Sequence, residues 1–433
     1  MSVRMKFYKH FVSRTTFFIR NHWFLITFFF KKPLELTMVS YLKLTLLFFS
    51  FPSFSYAQET ENTNSHFIEP AYMFGKVLPM STGFTFPETT YQQVATINFG
   101  VVNNDTTKWG KYYNLPESGI MLLYSTLGNN DVLGHQFGVL PFISLRIFNK
   151  LKNPFQLKLG AGVSYFTHRF DSIGNPQNEI IGSQFTWDVK VFLYKSIYKK
   201  DGFSLKLGAG FSHESNGHTR LPNLGVNSPM VSFSGQFYNK KEANHFKPNR
   251  IKRQNVSPKK YYITWEEGFG FHEQDETEGP VMGELKPVYS ADLSAGILFN
   301  KHIKLRGGFT YRYYQTYYDH IIKTNDTELI SQSKWNSSNV SFYLGNEFLM
   351  GHIGIDMLLG INLHKPFYQK YNPSTAIGTT LQKRLLTRIG ANLYLINTHK
   401  LPKHNIFIGA HIKANMAKAD YTDLTIGYTF NLN

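Results

Sequence analysis

The residues that could do chemistry in this chain come at the end of one alternating segment, FSLKLGAGFSHES (203–215). Side chains two apart on a β-strand share a face, so His213 and Ser215 fall on the same face as the apolar residues before them. A serine hydroxyl becomes a nucleophile when a neighbouring imidazole accepts its proton. The spacing predicts a Ser-His pair for acyl transfer. The alternative is a polar pair at a membrane rim with no catalytic role.

A second segment of the chain serves as an internal comparison for this pair. FQLKLGAGVSYFTH (155–168) nearly repeats FSLKLGAGFSHESN (203–216), and the two match along the apolar face until its end. There Tyr165 stands in place of His213, and Thr167 in place of Ser215. Tyrosine is typical of the aromatic girdle of a membrane barrel. The first copy is therefore interpreted as structural, and the second as the copy that carries chemistry.

The composition indicates an all-β protein. Among the 433 residues there are 39 Phe, 26 Tyr, 33 Gly and no Cys, and only 17% are charged, where about 25% is usual. The body of the chain has no apolar run of about 18 residues, as a membrane helix would need. The lack of cysteine excludes a disulfide framework and thiolate chemistry.

The alternation of apolar and polar residues predicts sixteen strands, separated by alternately short and long connections. The predicted strands are 68–78, 91–103, 117–126, 134–148, 155–168, 181–196, 203–215, 228–238, 260–271, 286–299, 302–318, 337–349, 353–363, 385–396, 405–414 and 421–432. This pattern favours an antiparallel transmembrane β-barrel of the outer membrane, with roughly 12–16 strands. A soluble β-sandwich is the alternative, but its outward face should be polar.

Counting strands back from the chain terminus gives the orientation of the predicted barrel. If the last strand runs toward the periplasm, 203–215 runs outward and 216–227 is an exterior loop. His213 and Ser215 then face lipid near the outer surface. One stretch disagrees with the count, because the long basic segment 239–260 falls on the periplasmic side.

The first 57 residues are predicted to be absent from the mature protein. A start-like Met38, the apolar stretch 44–54 and the small residues before Gln58 predict a signal peptide cleaved after Ala57. Residues 1–37 are an extension upstream of Met38, or else part of one long signal peptide. Residues 58–433 are expected to form a single barrel domain. Without residues 1–57 the net charge falls from +17 to +10, which suits anionic lipid phosphates and not nucleic acid in an exported chain.

The stretch FSHESNGHTRLPNLGVN (211–227) resembles the lipid A 3-O-deacylase family (PagL-like, acyloxyacyl hydrolases). Two further stretches, 129–142 and 406–430, look like parts of its larger members. The resemblance implies an ester hydrolase in the outer membrane of a Gram-negative bacterium. It would remove the 3-O-linked acyl chain from lipid A of lipopolysaccharide in the outer leaflet, without metal or cofactor.

Carried over to this chain, the resemblance makes Ser215 the nucleophile and His213 the general base. Asn223 would help bind the oxyanion, and Asn216 would support the site. The third triad position, where the family pattern has a glutamate, is Asn227 here. An asparagine can orient a histidine but cannot offset the charge of an imidazolium. A carboxylate from a neighbouring strand is the alternative, but Glu214 should point to the opposite face.

Two other classes of function stay open at the level of sequence. A barrel with a polar lumen could be a channel or transporter, and long loops could serve a structural or adhesive barrel. A homo-oligomer is also compatible with the sequence. His135, His168, His218 and His302 are scattered without metal-ligand spacing, so they are interpreted as rim or loop residues.

Overall fold

The computed structural model describes most of the chain that follows the predicted signal peptide. The described residues are 65–79, 86–103, 109–148, 151, 153–238, 259–273, 284–416 and 418–432. The predicted extension and signal peptide, with Met38 and Ala57, lie outside them. None of the helices in these ranges is long and apolar enough to cross a membrane.

The first eight strands form a closed antiparallel barrel. They are β1 Ser65–Gly75, β2 Gln92–Val102, β3 Glu117–Thr126, β4 His135–Ile147, β5 Phe155–Phe166, β6 Phe185–Lys200, β7 Phe203–Ser215 and β8 Val226–Tyr238. A short helix, α1 (Trp109–Tyr112), lies between β2 and β3. Each strand pairs with the next, and β8 closes the ring on β1, with Phe237 opposite Ile68.

The next eight strands form a second closed antiparallel barrel. They are β9 Lys260–His272, β10 Lys286–Phe299, β11 Ile303–Tyr314, β12 Ser338–Met350, β13 Ile353–His364, β14 Leu385–Tyr394, β15 His404–Asn415 and β16 Lys418–Asn431. Its longer connections carry the helices α2 Gln315–Thr324, α3 Ser333–Asn336, α4 Pro366–Tyr371 and α5 Ile377–Arg384, and the 3-10 turn Ile330–Gln332; a second 3-10 turn, Thr398–Lys400, lies between β14 and β15. Strand β16 closes this ring on β9, with Tyr428 opposite Trp265.

The structure confirms the all-β barrel class and the sixteen strands, but the expectation of one barrel is wrong. Alternation shows that a segment is a strand with one apolar face. It does not show which distant strand completes the ring, and here β8 returns to β1 instead of passing the sheet on to β9. The basic segment 239–260 therefore joins two barrels and is not a hairpin loop. Its residues 239–258 lie outside the described part of the chain.

The strands alternate polar inside and apolar outside, which is the reverse of a soluble β-sandwich. On β2, Thr96 and Asn98 are buried in the lumen, while Ile97 and Phe99 are exposed on the outer face. The sequence predicts this pattern because inward and outward positions alternate strictly along a strand. The apolar outer faces are suited to lipid.

Both lumens are filled by buried ion pairs. In the first barrel the Glu69 carboxylate accepts from Lys158 Nζ at 2.5 Å and from Lys206 Nζ at 2.9 Å. In the second, Arg306 contacts Glu266 at 2.9 Å and Asp356 at 2.7 Å. The interior of an eight-stranded barrel is about wide enough for side chains alone, so these interiors are packed cores.

Candidate active site

Strand β7 places His213 and Ser215 on the outer face of the first barrel. The intervening residues Ser212 and Glu214 both accept hydrogen bonds from Lys190 Nζ in the lumen, at 2.5 Å and 3.0 Å. Because neighbours on a strand point to opposite faces, His213 and Ser215 project away from the lumen. Glu214 cannot serve as the acid of a triad here, as the sequence predicts.

The partner of His213 is Asn227, its direct neighbour on strand β8. His213 Nδ1 lies 2.7 Å from Asn227 Oδ1. The other amide atom, Asn227 Nδ2, donates to the carbonyl oxygen of Gly225 at 3.4 Å, which sets the orientation of the amide. Since Oδ1 can only accept, Nδ1 carries the proton, and Nε2 is the ring nitrogen that can take one.

Two N–H donors converge on the Ser215 hydroxyl. Asn223 Nδ2 donates to Ser215 Oγ at 2.8 Å, and the backbone N–H of Gly217 donates to the same atom at 3.2 Å. Such donors, fixed next to a nucleophile, are the components of an oxyanion hole. The Gly217 amide is a part of the site that sequence reasoning missed, because a backbone donor leaves no trace in residue type.

The loop between β7 and β8 is folded by its asparagines. Asn216 Nδ2 donates to the carbonyl oxygen of Arg220 at 2.6 Å, and the backbone N–H of Asn216 donates to Asn223 Oδ1 at 3.1 Å. Asn216 therefore supports the loop, while Asn223 links the loop to the serine.

Gly225 brings the loop back close to the strand. It has φ of +73°, and a Cβ at this position would lie 2.8 Å from the backbone oxygen of Glu214 and 3.4 Å from His213 Cε1. Glycine has no Cβ, so it alone combines this backbone angle with this close approach. The turn at Gly225 in the sequence GVN (225–227) thus allows Asn227 to reach His213.

The loop between β5 and β6 packs against the loop between β7 and β8. The backbone N–H of Gly225 donates to the carbonyl oxygen of Ile180 at 3.0 Å. A Cβ on Gly182 would lie 2.2 Å from the carbonyl oxygen of Pro222, so the two loops touch through backbone. Ser215 itself is only 6% exposed.

The structure thus brings the five predicted residues together at the end of β7 in two hydrogen-bonded groups: His213 with Asn227, and Ser215 with Asn223 and Asn216. Among the described residues no hydrogen bond joins Ser215 to His213, and the partner of the imidazole is the asparagine and not a carboxylate. The described ranges also contain no group of three or more His, Asp, Glu or Cys side chains that could hold a metal ion.

Comparisons with solved structures find proteins of low similarity. CdiB from Acinetobacter baumannii has 10% identity and a TM-score of 0.16, over 85% of this chain and 60% of CdiB. The FrpB iron transporter from Neisseria meningitidis has 7% identity and a TM-score of 0.19, over 85% of this chain and 70% of FrpB. The chain thus spans about 60% of the length of the first of these. No curated protein matches the sequence.

The fold is that of a β-barrel protein, and the first barrel carries serine, histidine and asparagine side chains on its outer wall. The sequence model of lipid A 3-O-deacylase (PagL) matches residues 97–236, and that of the acyloxyacyl hydrolase C-terminal domain matches residues 261–432. The first match falls on the first barrel and the second match on the second barrel, and together they cover most of the chain. The protein belongs to the lipid A 3-O-deacylase family, as a larger member that combines both domains.

Proposed function

We propose that this protein is an outer-membrane ester hydrolase that removes the 3-O-linked acyl chain from lipid A in the outer leaflet. The observation that carries the proposal is the cluster on the outer face of β7, where Ser215 meets two N–H donors beside an oriented imidazole. Family membership supports lipid A as the substrate. A bilayer lipid lies on the side of the barrel wall to which His213 and Ser215 point.

In the proposed first step, Ser215 Oγ attacks the carbonyl carbon of the ester, and His213 Nε2 takes the hydroxyl proton. The carbonyl carbon becomes tetrahedral, and the carbonyl oxygen becomes an oxyanion. Asn223 Nδ2 and the Gly217 N–H, which rest on Oγ in the absence of substrate, lie close enough to donate to it. Collapse breaks the bond to the sugar oxygen, which leaves as a hydroxyl with the proton from His213.

In the second step, water attacks the acyl-serine, with His213 again as the base. The fatty acid is released, and Ser215 regains its proton. Throughout, Asn227 holds the ring by accepting from Nδ1. It supplies orientation but no negative charge, so the imidazolium formed in each step is less stabilised than it would be beside a carboxylate.

The proposal is tested by mass spectrometry of lipid A from cells with and without the protein. We expect the wild type to remove one hydroxyacyl group, and Ser215→Ala to leave lipid A intact. Thr167→Ala is the matched control, because it deletes a hydroxyl at the equivalent position of the repeated strand segment. A wild type that leaves the lipid A spectrum unchanged would contradict the proposed function.

A further inference from the structure

The second barrel contacts the candidate active site directly. Trp187 on β6 is the strand neighbour of Ser215. Its indole Nε1 donates to Thr422 Oγ1 on β16 of the second barrel, at 2.8 Å. The residue beside the nucleophile is thus held by a side chain from the other barrel.

The same threonine lies against the backbone that supplies an N–H to Ser215. A Cβ on Gly217 would lie 2.7 Å from Thr422 Oγ1 and 3.7 Å from Trp187 Cδ1. Gly217 has φ of +66°, so the turn that aims its N–H at Ser215 passes immediately over the threonine hydroxyl. Thr422 therefore limits where this peptide can lie.

A second contact fixes the other half of the loop. Glu273, which follows β9, is fully buried and accepts from the backbone N–H of Leu221 at 2.8 Å. It also pairs with Arg220 Nη1 at 3.7 Å. The carbonyl oxygen of Arg220 is the acceptor for Asn216, and Asn223 follows two residues after Leu221. The carboxylate thus anchors the segment between the two asparagines.

We propose that the second barrel acts as a positioning element for the hydrolase site of the first, with Thr422 and Glu273 as positioning residues. The inference rests on the proposed function and assigns a role to the additional barrel. Oxyanion donors are effective when they are held within about 0.5 Å of their productive positions. Here both donors sit on one loop, and two contacts from a rigid neighbouring barrel hold that loop at Gly217 and at Leu221.

The first test compares Thr422→Val with Thr422→Ser in the full-length protein. Valine keeps the shape but removes the hydroxyl that accepts from Trp187, whereas serine keeps it. With hexa-acylated lipid A in detergent micelles, we expect Thr422→Val to lower kcat about tenfold with little change in KM, since misplacement of catalytic groups is costly. Thr422→Ser should retain the wild-type rate. Thr324→Val, at the exposed end of α2, is the control.

The second test separates the two bonds of Glu273. Glu273→Gln keeps an acceptor for the Leu221 N–H and removes the ion pair with Arg220, while Glu273→Ala removes both. We expect Glu273→Ala to lower kcat at least as much as Thr422→Val, and Glu273→Gln to recover most of the rate. Heat-modifiable migration on gels reports whether each variant is folded.

An alkyl fluorophosphonate, which labels an activated serine without requiring lipid A, distinguishes the possible failures. Slower labelling of Ser215 in folded Thr422→Val and Glu273→Ala supports the positioning role. If both folded variants are labelled as fast as the wild type and also hydrolyse lipid A at the wild-type rate, the positioning role alone is overturned. A wild type whose Ser215 is not labelled overturns the proposed function, and the positioning role with it.

Discussion

At the scale of single residues, the site differs from the family pattern at its third member. Asn227 occupies the position expected for a glutamate, and its Oδ1 makes the bond to His213 that a carboxylate would make. The asparagine selects the same ring tautomer, because an oxygen atom can only accept from Nδ1. What it lacks is charge. In the proposed mechanism, Asn227 therefore orients the His213 ring but places no negative charge beside the imidazolium.

This difference predicts that Asn227→Asp raises activity. A carboxylate oxygen takes the place of Oδ1 without added length, and a hydrogen bond to a charged group is worth about 1 kcal/mol more than a neutral one. We expect kcat on lipid A to rise several-fold. Asn227→Leu, which has no acceptor, should lose most activity. Equal rates for wild type and Asn227→Asp would show that charge at this position is not limiting.

At the scale of elements, the loop between β7 and β8 is held at several points outside its own hydrogen bonds. Its residue His218 is buried and packs on His272 of the second barrel, with ring centroids 5.6 Å apart. Burial lowers the pKa of His218 to about 3, with the neighbouring His272 and Lys418 adding to the effect and Asp420 opposing it. The folded loop therefore contains a neutral imidazole.

The lowered pKa predicts an acid-sensitive loop. A histidine whose pKa is lower in the folded state stabilises the fold above its ordinary value of about 6.5, and this stability is lost as the pH falls toward about 3. We expect the thermal midpoint in detergent to decrease over this range. His218→Asn cannot titrate there and tolerates the positive φ of this residue, so it should show a smaller decrease. If the thermal midpoints of the wild type and His218→Asn decreased in parallel with falling pH, His218 would not be the group responsible.

At the scale of the whole molecule, the two closed barrels bear on the channel hypothesis. Each barrel has eight strands, and each lumen holds buried, paired charges such as Glu69 with Lys206 and Asp356 with Arg388. Moving one member away from its partner would leave an uncompensated buried charge, which is costly. We therefore expect these pairs to keep each lumen filled. A single barrel of sixteen strands would be wide enough to leave an aqueous channel.

This architecture predicts that the protein does not conduct ions. Side chains fill the interior of an eight-stranded barrel, so we expect no channel steps in planar bilayers from either the wild type or Ser215→Ala. A porin reconstituted in the same way provides the positive control. Regular conductance steps from the purified protein would show that the lumens open.

Much of the molecule follows from local sequence. The period-2 pattern predicts every strand of both barrels, since each residue of a strand must face either lipid or lumen. Comparison of the two near-identical segments also selects His213 and Ser215, because only one copy departs from the girdle pattern. These features depend on one strand at a time, so the sequence of that strand is enough to predict them.

The tertiary structure alone shows three further features. These are the closure of the sheet, the partner of His213 and the contacts of the second barrel. Closure depends on which distant strands pair, as β8 does with β1 and β16 with β9. The Gly217 donor depends on backbone direction, and Thr422 and Glu273 reach the loop from more than fifty residues away in sequence. The sequence by itself determined which residues could react, whereas the tertiary structure decided what holds them, because support comes from elements that are distant along the chain.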